Sequence, residues 1–260
     1  MSSILKIENL KYKEILKDVT FSLEEKTFNI LVGANGSGKT TLVNCLRGLS
    51  QYQGTINIFN CNIKQKDNLN LYKEIGFFLN DEILLEDIMY EELLSLLKNL
   101  DYEEEKAKKL IFSIAKKLDI TELLFKIPSE LLDYQKSLIS FVFSIIHEPK
   151  LLIVDNDLDN LDEKNKSKII DYLKNQKKLT ILFITNDSEY FNLADNFLFL
   201  DDGKIILSCD FFELKNNEKT LIKCGTNLPF AINLSSKLMV YELLDSVELD
   251  FKKMVDKIWK

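Results

Sequence analysis

Gly33-Ala34-Asn35-Gly36-Ser37-Gly38-Lys39-Thr40 follows the β-prone run Phe28–Val32 and opens the helical stretch Lys39–Leu46, which Gly48 stops. The octet matches G-x-x-x-x-G-K-[ST] at every fixed position, with an extended segment before it and a helix after it, as the pattern requires. The spacing has a chemical reason. Glycines let backbone N–H groups turn inward and cup phosphate oxygens, and the helix N-terminus adds partial positive charge. Lys39 is placed to reach the β- and γ-phosphates of a nucleoside triphosphate, and Thr40 to offer its hydroxyl to magnesium.

Working outward, Ile4–Ile7, Val19–Leu23, Gly54–Phe59 and Ile75–Leu79 read as further short strands. From Ile83 to about Phe125 apolar residues recur at helical spacing, through Leu84, Leu85, Ile88, Leu93, Leu94 and Leu97, then Ala107, Leu110, Ile111, Ile114 and Leu118. Pro128 ends this helical insert. Gln135–His147 reads as a buried helix. Strand, helix, strand follow at Leu151–Val154, Lys164–Leu173 and Thr180–Ile184. Phe197–Leu200 and Lys204–Leu207 then form a hairpin turning at Asp202-Gly203. A fully apolar strand such as Leu151–Val154 belongs inside a parallel sheet covered on both faces. Asp155 closes that strand, where an acid that orients magnesium should stand. The tail from about Asp210 reads as helical and polar. The fold class is therefore α/β, a P-loop core with an antiparallel β subdomain, a helical insert and a short helical C-terminal extension.

Composition limits the partners. The 260 residues, 46% hydrophobic and 29% charged, suffice for one domain with a small appendage. A net charge of -7 argues against nucleic acid as a partner. The longest apolar run, Leu138–Ile146, is far shorter than the roughly 20 residues of a spanning helix, so contact with a membrane is expected through another protein. Cys45, Cys61, Cys209 and Cys224 form no C-x-x-C pair, which points to reduced, half-buried thiols rather than zinc or disulfides. His147, the chain's one histidine, reads as structural.

Asp155 stands more than a hundred residues after Thr40, with helices between. This arrangement resembles the ABC ATPases, in which a helical subdomain separates the Walker A and Walker B motifs. Glu148-Pro149-Lys150-Leu151-Leu152-Ile153-Val154-Asp155 resembles the family's EPKLLILD, Asn160-Leu161-Asp162 its D-loop, and Ala194-Asp195-Asn196-Phe197 with Asp202-Gly203-Lys204-Ile205 the segment closing its core. Cys224–Leu238 is similar to the C-terminal extension of the ATPase subunits of energy-coupling-factor importers, through Gly225, Asn227 (for Asp), Pro229, Leu234 and Leu238; the alternative is a generic helical tail. The resemblance implies ATP and Mg2+ as cofactors. Gly33, Ala34, Asn35, Gly36, Ser37, Gly38, Lys39, Thr40 and Thr41 would hold the phosphates, and Thr40, Asn80 and Asp155 the metal. Tyr12 is the candidate for stacking on adenine, against the alternative of a half-buried strand tyrosine.

The chain also departs from the family. The signature Leu-Ser-Gly-Gly-Gln falls on Leu131-Leu132-Asp133-Tyr134-Gln135, keeping only its ends, and Leu138 replaces the usual arginine. A carboxylate at Asp133 would repel phosphate by ~1 kcal/mol at about 4 Å in water, several times more near a protein surface. Asn156 stands at the catalytic glutamate position, and an amide cannot accept the proton of an attacking water. Asn186 stands at the switch histidine, Asn80 at the γ-phosphate-sensing glutamine, and Asp157 and Leu158 replace a Pro and a Thr. The expected organisation is core at 1–82 and 135–208, helical subdomain at 83–134 and extension at 209–260.

These features imply an ATP-binding subunit of an ABC-type membrane transporter, of energy-coupling-factor importer type, with weak hydrolysis of its own. Its expected partners are a second ABC ATPase subunit, as a heterodimer rather than a homodimer, and a transmembrane component. Its expected place is the cytoplasmic face of the cell membrane. An ABC exporter subunit and a regulatory pseudo-ATPase outside transport are the alternatives.

Overall fold

Two kinds of strand follow from two kinds of sequence pattern. The computed structural model describes residues 3–64, 66–80, 87–155, 158, 161–248 and 251–259. Its elements in chain order are β1 (Ser3–Tyr12), β2 (Leu16–Glu24), β3 (Phe28–Val32), α1 (Lys39–Leu46), β4 (Gln53–Ile58), β5 (Cys61–Asn62), β6 (Ile75–Leu79), α2 (Met89–Asn99), α3 (Glu104–Leu118), α4 (Asp133–Ile145), β7 (Leu151–Asp155), α5 (Glu163–Lys174), β8 (Thr180–Ile184), β9 (Asn196–Asp201), β10 (Lys204–Asp210), α6 (Glu218–Lys223), α7 (Phe230–Val240) and α8 (Phe251–Ile258). The strands run in the order β5-β4-β1-β2-β10-β9-β3-β8-β7-β6. β5, β4, β1 and β2 pair antiparallel; β9, β3, β8, β7 and β6 pair parallel.

Along β2 buried and exposed residues alternate, as for a sheet with one wet face. β3 and β8 are buried throughout, and their side chains divide by the period of two between two cores. Ile30, Val32, Leu152, Val154, Ile181, Phe183, Phe197 and Phe199 enter the core under α4, α5 and the helical insert. Leu31, Leu151, Ile153, Leu182, Ile184, Leu198 and Leu200 enter the core shared with α1 and the antiparallel strands. The rings favour the first core. Phe78 meets Phe141 edge-on at 5.2 Å, and Phe141 meets Tyr172 at 5.6 Å.

The expected bounds of β3, α1, β6 and β8 coincide with the structure. The buried helix starts earlier than its apolar period suggests, at Asp133, because Leu132 caps it and the Gln135 Oε1 accepts from the Leu132 N–H at 3.0 Å. The tail is helical but not uniformly polar: Phe230, Val240 and Tyr241 are each more than 70% exposed. Cys45, Cys209 and Cys224 are buried and Cys61 is exposed, all as free thiols. Among the described residues no helix is long and apolar enough to cross a membrane.

Candidate functional site

β3 delivers the chain, fully buried, to Gly33. A Cβ there would lie 2.5 Å from Ser37 Oγ and 2.6 Å from the Leu200 carbonyl, so only glycine fits. Gly36 (φ +83°) and Gly38 (φ +108°) take left-handed backbone conformations that glycine adopts without strain. Ser37 donates its N–H to the Ala34 carbonyl at 3.1 Å, and its own carbonyl accepts from Gly203 N–H at 3.2 Å. The loop thus rests on the β9–β10 turn, which in turn accepts the Lys17 N–H at the Gly203 carbonyl (2.9 Å) and is pinned by a 2.6 Å ion pair between Lys17 and Asp202.

Lys39 Nζ donates to the carbonyls of Gly33 and Ala34, which keeps the ammonium at the mouth of the loop. The Ser37 hydroxyl is buried and has no hydrogen-bond partner among the described residues. A cradle of inward-turned glycines with a lysine at its rim and an orphaned buried hydroxyl fits a phosphate chain. The adjoining cavity measures about 490 Å³ and is lined by Asn35, Gly36, Gly38, Lys39, Thr40 and Thr41, among others.

The same cavity is lined by Thr40, Asn80 and Asp155. Parallel register explains the convergence: Leu79 of β6 lies opposite Asp155 of β7, so Asn80 leaves the sheet beside that carboxylate. The three oxygen-bearing side chains suit a hard divalent cation. The structure therefore brings Asn35, Gly36, Gly38, Lys39, Thr40 and Thr41 of the loop to one cavity with Asn80 and Asp155, while Gly33, Ala34 and Ser37 do not line it. Asn156 lies outside the described residues. Asn186, just past β8, meets the start of the loop: its Oδ1 accepts the Gly33 N–H at 3.1 Å.

Tyr12 does not reach the cavity. The chain reverses right after it, with Ile15 N–H on the Tyr12 carbonyl (3.1 Å) and Leu16 registered opposite Tyr12. Tyr12 packs partly into the second core, and Ile15, 41% exposed, lines the cavity in its place.

Two further features escaped the sequence reading. Arg47, the chain's one arginine, caps the C-terminus of α1. It lines both the loop cavity and a neighbouring groove of about 400 Å³ that includes Phe77, Leu96, Phe143 and His147. Its scarcity among 34 basic residues was the available signal. Gly225, which enters the sequence reading only as tail motif, lies against Ala34 of the loop, and Thr226 beside it donates its hydroxyl to the Asn186 carbonyl.

The altered signature segment sits at the N-terminus of α4. Leu132 is 60% exposed and the Asp133 side chain 88%, with Asp133 at 3.5 Å from Lys136. Tyr134 leans against the first core and Leu131 and Gln135 are buried. The two ends of the motif are thus the buried ones here, while of its altered middle Leu132 and Asp133 face out and Tyr134 leans inward.

Comparison with known proteins gives a consistent result. The ABC transporter family model matches residues 16–158. The energy-coupling factor transporter ATP-binding protein EcfA1 of Mycoplasma pneumoniae is 31% identical, over 95% of this chain and 91% of its own length. The corresponding EcfA of Pediococcus pentosaceus is 27% identical, over 96% and 94%. Such coverage is too high to leave out the C-terminal tail. Among solved structures, cbiO1 of Clostridium perfringens, part of an ABC transporter complex, superposes with a TM-score of 0.73 at 24% identity, over 93% of this chain and 99% of its own. An ATP-binding cassette solved as a post-hydrolysis dimer with ADP and Pi superposes with a TM-score of 0.71 at 22% identity, over 79% and 98%.

Proposed function

The chain belongs to the ABC transporter family of ATPases, and on that premise we propose that it is the ATP-binding subunit of an energy-coupling-factor importer. In this reading the loop Gly33–Thr41 holds the ATP phosphates through its backbone N–H groups, and Lys39 neutralises the β- and γ-phosphates. Thr40, Asn80 and Asp155 hold Mg2+, which when bound supplies charge neutralisation at the phosphate oxygens. Ile15 offers an apolar wall for the base. The observation that carries the reading is the meeting of Lys39, Thr40, Asn80 and Asp155 around one cavity in a chain that its relatives match over 95% and 96% of its length.

Hydrolysis by this chain is proposed to be slow. A carboxamide at Asn156 cannot take the proton of an attacking water. Asn186, which would act at the γ-phosphate in the switch role, has its oxygen engaged by the Gly33 N–H instead. A second ATPase subunit with an intact signature motif would close over Gly33–Thr40 better than a second copy of this chain, which would present Leu132 and Asp133 to the phosphates. Closure of such a pair would move a transmembrane partner docked near Asn80 and the helical insert, from the cytoplasmic side of the membrane.

The test is affinity capture of the tagged chain from detergent-solubilised membranes, followed by ATPase measurement on the chain alone and on the captured complex. The reading expects a second ATPase subunit and a membrane protein in the complex, with Lys39-dependent turnover there and little in the isolated chain. Robust turnover by the isolated chain, abolished in Lys39→Ala, would refute the slow-hydrolysis part. Capture of soluble proteins alone would refute the transporter part.

A further inference from the structure

The residues after α6 return to the phosphate loop. Thr226 is buried, and its hydroxyl donates to the Asn186 carbonyl at 2.7 Å. Asn186 in turn accepts the Gly33 N–H on its side-chain oxygen at 3.1 Å. Gly225, at φ +81°, lies against Ala34: a Cβ on it would be 3.5 Å from the Ala34 Cα and 3.6 Å from Asn186 Nδ2. Two anchors fix this turn independently of the Thr226 hydroxyl. Thr226 N–H donates to the Leu221 carbonyl at 3.0 Å, and Lys223 pairs with Asp201 at 2.5 Å. Between them Cys224 is fully buried. Its thiol is pushed up by burial and by Asp201, with Lys223 and Lys39 opposing.

We propose that Thr226 is a positioning residue for nucleotide binding: through Asn186 it holds the first amide of the phosphate loop, so that the C-terminal extension sets the loop's shape. The proposal rests on the ATP-binding reading and deepens it. Asn186 does not act as a switch here but as a tie between extension and loop. The physical reason is connectivity. β8 ends at Ile184, and Thr185 still donates its N–H to Leu31 of β3 at 3.2 Å, so the backbone at Asn186 is fixed on the sheet side. The Thr226 hydroxyl fixes it on the other side. With both sides held, the Asn186 carboxamide has one place to go, over Gly33. Losing the hydroxyl leaves a part-buried carbonyl without that partner and frees Asn186 to turn.

The experiment uses the full chain with Thr226→Val, Thr226→Ser, Asn186→Ala and the Asn186→Ala/Thr226→Val double variant. Mg-ATP affinity is measured by calorimetry, thermal unfolding without nucleotide serves as the stability control, and hydrogen exchange is followed in the peptide containing Gly33. Thr226→Val, nearly isosteric, should weaken ATP binding about tenfold, on the order of one buried hydrogen bond. Thr226→Ser should restore it to within about twofold. The double variant should bind no more weakly than Asn186→Ala, because the two residues act in series. Exchange at Gly33 should quicken in both single variants. ATP affinity unchanged in Thr226→Val, whatever its thermal stability, would overturn the proposal, as would additive effects in the double variant. If the unaltered chain binds no ATP, the ATP-binding reading fails by itself. Gly33 exchange then decides the tie alone: faster exchange in both single variants upholds it, and unchanged exchange ends it.

Discussion

The loop before α1 and the loop before α4 are built alike and behave differently. Both end at a helix N-terminus, where unpaired backbone N–H groups and the helix dipole favour an anion. α1 starts from Gly38 in a left-handed conformation and has no acidic residue in its first turn, so its field is left for a ligand. α4 starts from Leu132, with Asp133 in its first turn and the Leu132 N–H already given to Gln135. Its field is answered from within the chain. In an ABC dimer one of these helix ends in each subunit would face the other across a nucleotide. On the proposed reading, the contrast teaches that this chain keeps the half that would receive ATP, while the half that would be offered to a partner's ATP is a helix end capped from within the chain.

The sharpest way to break the contrast is to disable the good half. Lys39→Ala removes a charge-assisted contact of about 1.5–3 kcal/mol, so ATP affinity should fall roughly 10- to 100-fold; calorimetric titration would show it, and an unchanged affinity would contradict the cradle. A smaller effect is expected from repairing the poor half. Leu132→Ser with Asp133→Gly and Tyr134→Gly should produce ATP-dependent self-association roughly tenfold stronger than in the unaltered chain, readable by analytical ultracentrifugation. The same variant should lose about 1–2 kcal/mol of stability, since two glycines enter a first helical turn and a favourable carboxylate leaves it. Asp133→Asn isolates the electrostatic share. It should strengthen ATP-dependent association a few-fold at low salt, with the gain shrinking as salt screens the charge.

The smallest effect concerns the far end of α4. His147 follows that helix, with its ring on the Ile75 carbonyl at 3.2 Å, and burial holds its pKa below the ordinary 6.5 despite that hydrogen bond. The folded state therefore disfavours the protonated ring. Its stabilising contribution is complete above about 6.5, the unfolded value, and is lost as pH falls through the depressed folded value. The unfolding midpoint should drop with acidification in that window, and less steeply in His147→Gln. Equal slopes in the two proteins would remove His147 from the account.

Much of this was legible in the residues. The octet Gly33–Thr40 is readable because its glycines serve backbone geometry, which is local. The bounds of β3, α1, β6 and β8 follow from local apolar period and glycine stops. Asp155 was legible only in combination: an acid closing an apolar strand says little alone, and it points to a metal position because the octet Gly33–Thr40 stands in the same chain. Whether Tyr12 or Ile15 lines the loop cavity depends on how tightly the β1–β2 turn reverses, which no property of the tyrosine announces. Arg47 was overlooked because its importance lies in standing between two cavities, and cavities exist only between elements.

By itself, then, the sequence determined the glycine-bounded loop Gly33–Thr40 and the bounds of the elements around it, because these depend on residues adjacent along the chain. Tertiary structure decided which distant groups share the cavity. Parallel register sets Asn80 beside Asp155, and the return of the chain after α6 sets Thr226 and Gly225 against Asn186 and Ala34. Such contacts between residues far apart in sequence arise only once the sheet order is fixed, and nothing in either local stretch encodes the other.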